Sequence, residues 1–594
     1  MSERSDPGPG TDGFGNSADR GAPEGADANS SATGGSASPA LAHSDDGSAA
    51  DRQPGRGVSR RWLFGASGAA AIAGLAVGAG TTAALRDGSA DSGVTGEFWP
   101  RTPDFTASAD TVAVPPVAGV HLQYGADAAR EVVVSWQTTT AVRNPVVRFG
   151  TPTAGFGTTT PARTRTYRDA ASGTEVRVHH ARLTGLTPDT EYVYAAGHDG
   201  APPELGTLRT APAGRAAFRF TSFGDQGTPT LGKLDNGRYV NDNLGSPFAG
   251  DVTAGIEHVA PLFNLVNGDL CYANLATDRV RTWNDWWANN SRSARYRPWM
   301  PAPGNHENER GNGPIGYAAF QTYFTVPDSG AEELARGLWY SFTVGGMRVI
   351  ALANDDICYQ DGGNSYVRGY SGGAQKRWLE KELAAARADR TIDWIVVFMH
   401  QVAISSADKA NGADLGIREQ WLPLFDRYQV DLVLCGHEHH YERSHPVRGV
   451  LATDTLTPKP VAEAVTPGLA GPTGAATDVV DTSKGTVHLV IGGGGTSAPS
   501  NRLFFADRQC RVLTGVNAVD SATGKKAPAY VLESATWSAF KDPDHAYGFC
   551  AFDVDPGTPG GNTTIAATYF ALGERPGQWE PVDSFTLTRP RSDR

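Results

Sequence analysis

Apolar and polar positions follow a repeating pattern between residues 217 and 440. Short apolar runs end in polar clusters flanked by glycine, and amphipathic stretches at 374–386 and 418–428 separate the later runs. Repeated strand-like and helix-like stretches predict an α/β sheet. The principal apolar runs cover residues 218–223, 263–266, 299–303, 393–399 and 430–435. Because ligands bind beyond the carboxyl ends of parallel strands, we expect the polar clusters after these runs to form one site.

The region before residue 214 has shorter strands with alternating side chains. Strands are predicted at residues 132–136, 146–150, 176–181 and 183–194, the last including a turn. This regular spacing favours a β-sandwich with Tyr192 at its corner, and residues 112–213 resemble a fibronectin type III module. His179 and His180 are adjacent and would point to opposite faces of a strand. We therefore interpret the region as a structural companion domain rather than an adhesion or carbohydrate-binding module.

The C-terminal part of the chain is predicted to complete the second domain. Residues 451–484 are rich in Pro, Thr, Ala and Gly, which predicts a loop or insertion. Further strands are predicted at residues 486–491, 547–552, 564–569 and 584–588. They would form a second sheet, so we predict one α/β domain over residues 214–590.

The N-terminal residues lack the pattern of a folded domain. Residues 1–57 are rich in Gly, Ser, Ala, Asp and Pro and poor in aromatic side chains, which predicts disorder. Residues 58–85 place Arg60 and Arg61 before a weakly apolar run, a pattern that resembles a twin-arginine export signal. The alternative for residues 58–85 is a single membrane anchor. Residues 86–111 are predicted to form a linker. We expect export by the twin-arginine machinery, to the cell envelope or beyond it.

Charge and cysteine content narrow the possible functions. The 594 residues have a formal net charge of −12, which argues against nucleic acid or anionic membranes as partners. A polyanionic substrate would then need a local positive centre, which metal ions can supply. The five cysteines fit no zinc-finger spacing. Cys271 and Cys435 are predicted to be buried, and Cys510 and Cys550 can pair only in an oxidising compartment.

The polar clusters after the apolar runs combine oxygen and nitrogen donors. Carboxylate and phenolate oxygens suit hard, highly charged cations, whereas imidazole nitrogens suit later divalent metals. One shared carboxylate can hold two ions about 3.5–4 Å apart, so this set favours a two-metal hydrolase over a structural zinc site. The candidate ligands are Asp225, Asp269, Tyr272, Asn305, His400, His437 and His439.

The order of the motifs is more specific than any single motif. Asp-x-Gly, Gly-Asp-x-x-Tyr, Gly-Asn-His-Glu, Val-x-x-His and Gly-His-x-His together resemble the metallophosphoesterase superfamily, and Tyr272 makes the chain similar to its purple acid phosphatases. The resemblance implies a four-layer α/β metallophosphoesterase sandwich preceded by the all-β fibronectin type III-like domain. It also implies two metal ions that share Asp269. Ferric iron would be bound by Asp225, Tyr272 and His439, and a divalent iron, zinc or manganese ion by Asn305, His400 and His437.

The same resemblance implies hydrolysis of a small-molecule phosphate ester. His306 would contact the phosphoryl group and help to protonate the leaving oxygen, supported by Glu307. Metal-bound hydroxide would attack in line, and the expected substrate is a phosphomonoester. One alternative is phosphodiester or nucleotide hydrolysis on the same metals. Another is a secreted binding module with a vestigial site.

The chain departs from the plant members on the substrate side of the site. Those members have further histidines after the Val-x-x-His motif, whereas residues 401–409 contain none. Lys409 and His440 are candidates to replace them, and the alternative is a solvated lysine and a histidine behind the site. Asp355 and Asp356 follow another apolar strand and are further substrate-side candidates.

Overall fold

This computed structural model describes residues 114–229, 244–360 and 368–593, apart from 473, 475, 520–525 and 576, and also the backbone of 234–235 and 238–239. The predicted tail, residues 1–57, the signal segment, residues 58–85, and the linker, residues 86–111, lie outside the described residues. Within the described part of the chain, no helix is long and apolar enough to cross a membrane.

The N-terminal domain is a sandwich of two antiparallel four-stranded sheets. Its strands are β1 (Ala118–Tyr124), β2 (Val132–Thr138), β3 (Val146–Gly150), β4 (Thr158–Pro161), β5 (Arg163–Arg168), β6 (Glu175–Leu183), β7 (Glu191–Gly197) and β8 (Glu204–Arg209). The sheets have the orders β1-β2-β6-β5 and β4-β3-β7-β8. Trp136 is fully buried, and the Tyr192 hydroxyl accepts a hydrogen bond from the Thr187 amide at 2.8 Å. The predicted all-β domain is confirmed.

The α/β domain contains the remaining strands and all the described helices. Its strands are β9 (Phe218–Phe223), β10 (Leu234–Asp235), β11 (Arg238–Tyr239), β12 (Phe263–Asn267), β13 (Trp299–Ala302), β14 (Tyr340–Val344), β15 (Met347–Ala351), β16 (Trp394–Phe398), β17 (Ala413–Asp414), β18 (Leu432–Cys435), β19 (Tyr441–Ser444), β20 (Val447–Val450), β21 (Pro458–Pro460), β22 (Val465–Ala470), β23 (Ala476–Asp481), β24 (Val487–Ile491), β25 (Gln509–Val519), β26 (Lys526–Ser534), β27 (Ser538–Lys541), β28 (Gly548–Asp555), β29 (Asn562–Leu572) and β30 (Trp579–Pro590). Its α-helices are α1 (Ala249–Val259), α2 (Arg279–Ala294), α3 (Ala318–Tyr323), α4 (Ala374–Ala388), α5 (Leu415–Gln420) and α6 (Leu422–Arg427).

Two large mixed sheets organise this domain. One has the order β13-β12-β9-β28-β29-β30-β23-β22, and the other has the order β14-β15-β16-β18-β24-β19-β27. Strands β9, β12 and β13 are parallel in the first sheet, and strands β15, β16, β18 and β24 are parallel in the second. The polar clusters identified in the sequence follow strands from both parallel sets.

The sheets pack face to face, with helices on their outer faces. Phe263 of β12 and Phe342 of β14 have ring centroids 5.8 Å apart across the shared core. Successive side chains of a strand point to opposite faces, so Val396 of β16 joins this core while Ile395 packs with Leu379 of α4. Helix α1 packs against β28 of the other sheet. The four-layer architecture is therefore helix, sheet, sheet, helix, as predicted.

The prediction of one helix over residues 418–428 was wrong. The chain forms two short helices, α5 and α6, separated at Trp421, whose φ and ψ are −115° and −35°. Pro423 lies in the first turn of α6 and has no amide hydrogen, so it cannot continue a helix from α5. Apolar periodicity alone did not reveal this break.

The prediction of a loop over residues 451–484 was also wrong in part. Strands β22 and β23 form a hairpin, and β23 pairs in parallel with β30 at the end of the eight-stranded sheet. Most of β22 is exposed or half-buried. An exposed strand has no alternation of buried and polar residues, which is why the hairpin was missed.

Cys510 and Cys550 do not form the disulfide that an oxidising compartment would allow. Cys510 lies on β25 in a three-stranded sheet with β17 and β26, whereas Cys550 lies on β28 in the eight-stranded sheet. Both are buried free thiols. They therefore act as small apolar core residues.

Candidate metal centre

Each candidate ligand lies just beyond the carboxyl end of a parallel strand. The order is Asp225 after β9, Asp269 and Tyr272 after β12, Asn305 after β13, His400 after β16, and His437 and His439 after β18. Four of them have positive φ angles, namely Asp225 at 55°, Asp269 at 51°, Tyr272 at 59° and His437 at 71°. Residues other than glycine adopt this conformation infrequently, because it costs about 1–3 kcal/mol per residue, and such strain often clusters at functional sites.

Three of the predicted ligands form a first cluster. The Tyr272 hydroxyl lies 3.1 Å from Asp225 Oδ1 and 3.1 Å from His439 Nε2. His439 Nε2 lies 3.3 Å from the same Asp225 oxygen. His439 Nδ1 is 2.6 Å from the carbonyl oxygen of Ala498, so it carries the ring proton and leaves Nε2 to face the cluster.

Three other ligands form a second cluster. His400 Nε2 lies 3.0 Å from Asp269 Oδ2 and 3.0 Å from His437 Nδ1. One donor atom from each of these residues lies within 4.8 Å of the other two. His400 Nδ1 donates to the Asn267 carbonyl at 2.8 Å, and His437 Nε2 is hydrogen-bonded to Gln360. These partners aim the opposite ring nitrogens of both histidines into the cluster.

Asn305 contributes an oxygen atom that has no partner among the described residues. Its Oδ1 atom is buried and accepts no hydrogen bond, although the residue is only 5% exposed. Buried amide oxygens are normally paired, because an unpaired one costs about 1–3 kcal/mol. A cation bound by this atom would satisfy it, so the residues present fit the implied metal ligands.

The two clusters are joined through the loop after β18. The His437 amide donates to Asp225 Oδ2 at 2.7 Å, so a ligand of the first cluster fixes the backbone of a ligand of the second. A side chain at Gly436 would collide with Asp225 and with the carbonyl oxygen of Asn267. Glycine is therefore needed for the close approach of the two loops. The structure brings all seven predicted ligands to adjacent loops.

His306 lies beside both clusters. Its amide donates to Asp269 Oδ1 at 2.8 Å, its Nε2 lies 3.8 Å from Asp269 Oδ2, and its ring packs on Tyr272 with centroids 4.4 Å apart. Its Nδ1 lies 2.8 Å from Asn274 Oδ1, an atom that can only accept. His306 Nδ1 therefore keeps its proton, and Nε2 is the atom that can exchange one. Asn274 could not be identified from the sequence, since it belongs to no recognised motif.

Glu307 supports the loops rather than the His306 ring. Its carboxylate accepts the backbone amides of Asp269, Leu270 and Gly304, each at 2.8 Å. Burial, with the nearby Asp269 carboxylate, raises the pKa of Glu307 to about 8. We expected Glu307 to support the His306 ring. Its contacts show that it instead fixes the turn containing Asp269, the residue expected to be shared by the two metals.

The charges of the two clusters depend on one another. Burial opposes protonation of His400, but Asp269 and Asp225 outweigh it and raise the His400 pKa to about 10. Burial favours the neutral form of Asp269, yet His400 and then His306 hold its pKa below the usual range. Burial, Asp225 and Asp269 raise the pKa of Tyr272 well above its normal value. A bound cation would replace the proton on His400 and favour the Tyr272 phenolate.

The substrate-side candidates differ in position. Gln401, which follows His400, donates to buried Asp355, and Asp355 accepts the Tyr317 hydroxyl at 2.6 Å. Asp356 is instead held by Ser371, whose amide lies 3.0 Å from its Oδ1. The position after His400 thus carries an amide that is tied to a carboxyl group.

The two residues considered as replacements for the missing histidines do not share one environment. Lys409 is exposed. His440 is fully buried, with Nδ1 2.9 Å from Ser500 Oγ and its ring against Phe504. His440 therefore lies behind the ligand loop.

Known proteins share both domains of this chain. Residues 117–211 match the family described as purple acid phosphatase, N-terminal domain, and residues 251–441 match the calcineurin-like phosphoesterase family. An uncharacterised protein of Mycobacterium tuberculosis is 63% identical over 538 residues, which are 91% of this chain and 97% of the relative. The Fe(3+)-Zn(2+) purple acid phosphatase 12 of Arabidopsis thaliana is 26% identical over 413 residues, which are 66% of this chain and 76% of the relative.

A solved structure extends the comparison to the fold. The purple acid phosphatase PPD1 from seeds of yellow lupin (Lupinus luteus) aligns with a TM-score of 0.57 and 24% identity, covering 81% of this chain and 75% of that one. Fold and comparisons together define a metal-dependent phosphoric ester hydrolase with a calcineurin-like phosphoesterase domain. Within that class, the chain belongs to the purple acid phosphatase family and has the family's N-terminal domain.

Proposed function

We propose that this phosphoesterase hydrolyses small phosphomonoesters at a centre of two metal ions. The observation that carries the proposal is the meeting of two donor clusters at adjacent strand ends, joined by the hydrogen bond from the His437 amide to Asp225. Asn305, after the neighbouring strand β13, adds a buried oxygen without a partner among the described residues. Asp225, Tyr272 and His439 would bind ferric iron, and Asp269 would bridge to the second ion. Asn305, His400 and His437 would complete the ligands of a divalent iron, zinc or manganese ion.

The metals and the protein have separate tasks in this mechanism. Two bound cations would neutralise phosphate charge and lower the pKa of a coordinated water. His306 is held by Asn274, with Nε2 on the side of Asp269. In its doubly protonated form the ring can deliver the Nε2 proton to the departing oxygen. Glu307 holds the three backbone amides that fix this arrangement.

Kinetics on paired substrates tests the proposed reaction. We expect the purified protein, supplied with iron and zinc, to hydrolyse p-nitrophenyl phosphate with a higher kcat/KM than bis(p-nitrophenyl) phosphate. Asp225→Asn should abolish turnover, whereas Asp553→Asn, at an exposed ion pair with Arg219, should leave it unchanged. A preference for the bis-ester would replace the proposal with phosphodiester hydrolysis. Full activity of Asp225→Asn would refute the metal assignment.

The diesterase alternative has one supporting observation. Residues 401–409, which follow His400, contain no histidine, and Gln401 at their start is held by Asp355. A neutral amide provides no positive charge for the second negative charge of a monoester. Such a site would discriminate less strongly against a diester, which carries one charge fewer.

We also propose that the protein is exported by the twin-arginine machinery. The proposal rests on Arg60, Arg61 and the small-residue run after them. Replacing both arginines by lysine should retain the protein in the cytoplasm, which fractionation of producing cells would reveal. Export of the double variant at the wild-type level would contradict the proposal.

A further inference from the structure

A turn of the N-terminal sandwich packs on the loop that follows the Gly-Asn-His-Glu motif, residues 304–307. The turn comprises residues 169–174, between β5 and β6, and the loop comprises residues 308–316. Gly311 has a φ angle of 87°, and a Cβ atom there would lie 2.6 Å from the Ala170 Cβ atom. The loop thus has a glycine at a position where the sandwich leaves no room for a side chain.

Buried polar contacts join the turn and the loop. The Ala170 amide donates to Asn312 Oδ1 at 2.8 Å, and Asn312 Nδ2 lies 3.4 Å from Asp169 Oδ1. Asp169 and Asn312 are 0% and 1% exposed. Arg279 at the start of α2 lies 3.6 Å from Asp169 Oδ1 and also donates to the Arg310 carbonyl at 2.9 Å. Ion pairs and hydrogen bonds excluded from water are screened little, so these contacts hold the loop firmly.

Glu309 connects these contacts to the Gly-Asn-His-Glu motif. Asn312 Nδ2 donates to Glu309 Oε2 at 2.8 Å, and Trp283 Nε1 donates to Glu309 Oε1 at 2.7 Å. The Glu309 amide donates to the Gly316 carbonyl at 2.9 Å, which closes the loop. Glu309 is fully buried and lies three residues after His306. Movement of Glu309 would therefore displace the turn that contains Asn305 and His306.

The sandwich also binds the far end of the same segment. Helix α3 follows this loop, and carbonyl groups in the last turn of a helix have no partners within the helix. Here His180 Nε2 lies 3.0 Å from the Thr322 carbonyl oxygen, and His121 Nε2 lies 2.9 Å from that of Tyr323. Arg165 donates to the carbonyls of Gln321 and Phe324, at 3.0 and 3.2 Å. Sandwich side chains thus cap α3.

We propose that Asp169 of the N-terminal sandwich is a positioning residue of the metal centre, acting through Asn312 and Glu309 on the turn that contains Asn305 and His306. The sandwich then helps to position residues of the catalytic site. The roles of Asn305 and His306 in this inference rest on the proposed function. The position of the turn does not, because it can be measured without turnover.

Two variants separate the two sides of the contact. Asp169→Ala removes the sandwich carboxylate, and Asn312→Ala removes the bridge while leaving the 169–174 turn its own bonds to Ser172. Glu204→Ala is the matched control. It cuts another ion pair between the domains, Glu204 with Arg295 at 3.0 Å, at the opposite end of the 16-residue helix α2. Asp169→Asn, which retains the shape and an acceptor oxygen, should restore most of the wild-type behaviour.

Hydrogen exchange and kinetics give independent answers. In the full-length, metal-loaded protein, amides of residues 304–309 should exchange about tenfold faster in Asp169→Ala and Asn312→Ala, and at the wild-type rate in Glu204→Ala. For p-nitrophenyl phosphate, kcat should fall about tenfold or more in the first two variants while KM changes little, because a displaced catalytic group loses orientation rather than substrate binding. Unchanged exchange and kcat in folded Asn312→Ala would overturn the inference. If the wild type hydrolyses no phosphate ester, the proposed function fails, and exchange alone decides the positioning role.

Discussion

Adjacent residues of the Gly304–Glu307 turn have separate tasks. Asn305 presents an unpaired buried oxygen, His306 presents Nε2 beside Asp269, and Glu307 accepts three backbone amides. Residue type and motif order predicted Asn305 as a metal ligand, since an amide oxygen can bind a cation. The role of His306 was implied only by the resemblance to purple acid phosphatases. The sequence did not predict the task of Glu307 or the partner Asn274, because both depend on where distant loops meet in the folded chain.

Replacing Asn305 should have opposite effects on the free energy of unfolding with and without metal. Without metal, the unpaired oxygen costs about 1–3 kcal/mol, so Asn305→Leu should be at least as stable as the wild type. With metal, the wild type should gain stability that the variant lacks, since only a binding-competent folded state is stabilised by the ion. Denaturant unfolding with chelator and with added metal measures both differences. A variant that loses stability equally in the two conditions would show that the oxygen does not bind a cation.

The loss of activity on removing the His306 side chain should depend on the leaving group of the substrate. An alkoxide needs a proton as it departs, whereas p-nitrophenolate leaves readily without one. His306→Ala should therefore lower kcat/KM for an alkyl phosphate about a hundredfold or more, and much less for p-nitrophenyl phosphate. Steady-state kinetics with the two esters measures the ratio, with exposed His258→Ala as the control. Equal losses on both esters would exclude a role in protonating the leaving oxygen.

At the scale of elements, the strands that lead to the site were predictable and several others were not. Strands such as β16 and β18 are continuous apolar runs because both faces are buried, and such runs stand out in a sequence. The hairpin of β22 and β23 is mostly exposed or half-buried and has no such pattern. The break between α5 and α6 was missed because the apolar side chains on its two sides preserve a helical spacing.

The contact between β1 and α3 predicts a loss of stability in acid. Burial lowers the pKa of His121 from 6.5 to about 4, since the ring is enclosed and stacked on Trp287 with centroids 3.9 Å apart. The unfolded chain therefore binds the proton more tightly, and stability falls as the pH drops from about 6.5 to 4. At pH 5 this group alone should remove about 2 kcal/mol.

Urea unfolding of the wild type and His121→Gln at pH 7 and pH 5 measures this loss. Glutamine can still donate to the Tyr323 carbonyl but does not titrate, so the variant should lose about 2 kcal/mol less than the wild type between the two pH values. Exposed His258→Gln should behave as the wild type. Identical losses in all three proteins would show that burial does not lower the pKa of His121.

At the scale of the whole molecule, two domains and two clusters of ligands converge on one segment, residues 304–324. The catalytic sheets place the ligands at their strand ends, while the sandwich holds the loop and helix behind Asn305 and His306. Composition predicted only one part of this arrangement: a chain with a net charge of −12 needs a local positive centre to attract phosphate. The contacts between the sandwich and the loop after the site could not be predicted. Asp169 and Asn312 have no distinctive pattern in the sequence, and only folding buries them together.

Elemental analysis of the purified metal-loaded protein tests the central claim most directly. The wild type should contain two metal ions per chain, and Asp269→Asn should contain markedly fewer, because the carboxylate proposed to bridge them would serve both ions. Tyr272→Phe should keep the fold but lose any visible charge-transfer band of ferric phenolate. A wild type that binds one ion or none under saturating iron and zinc, or an Asp269→Asn variant with unchanged metal content, would contradict the account.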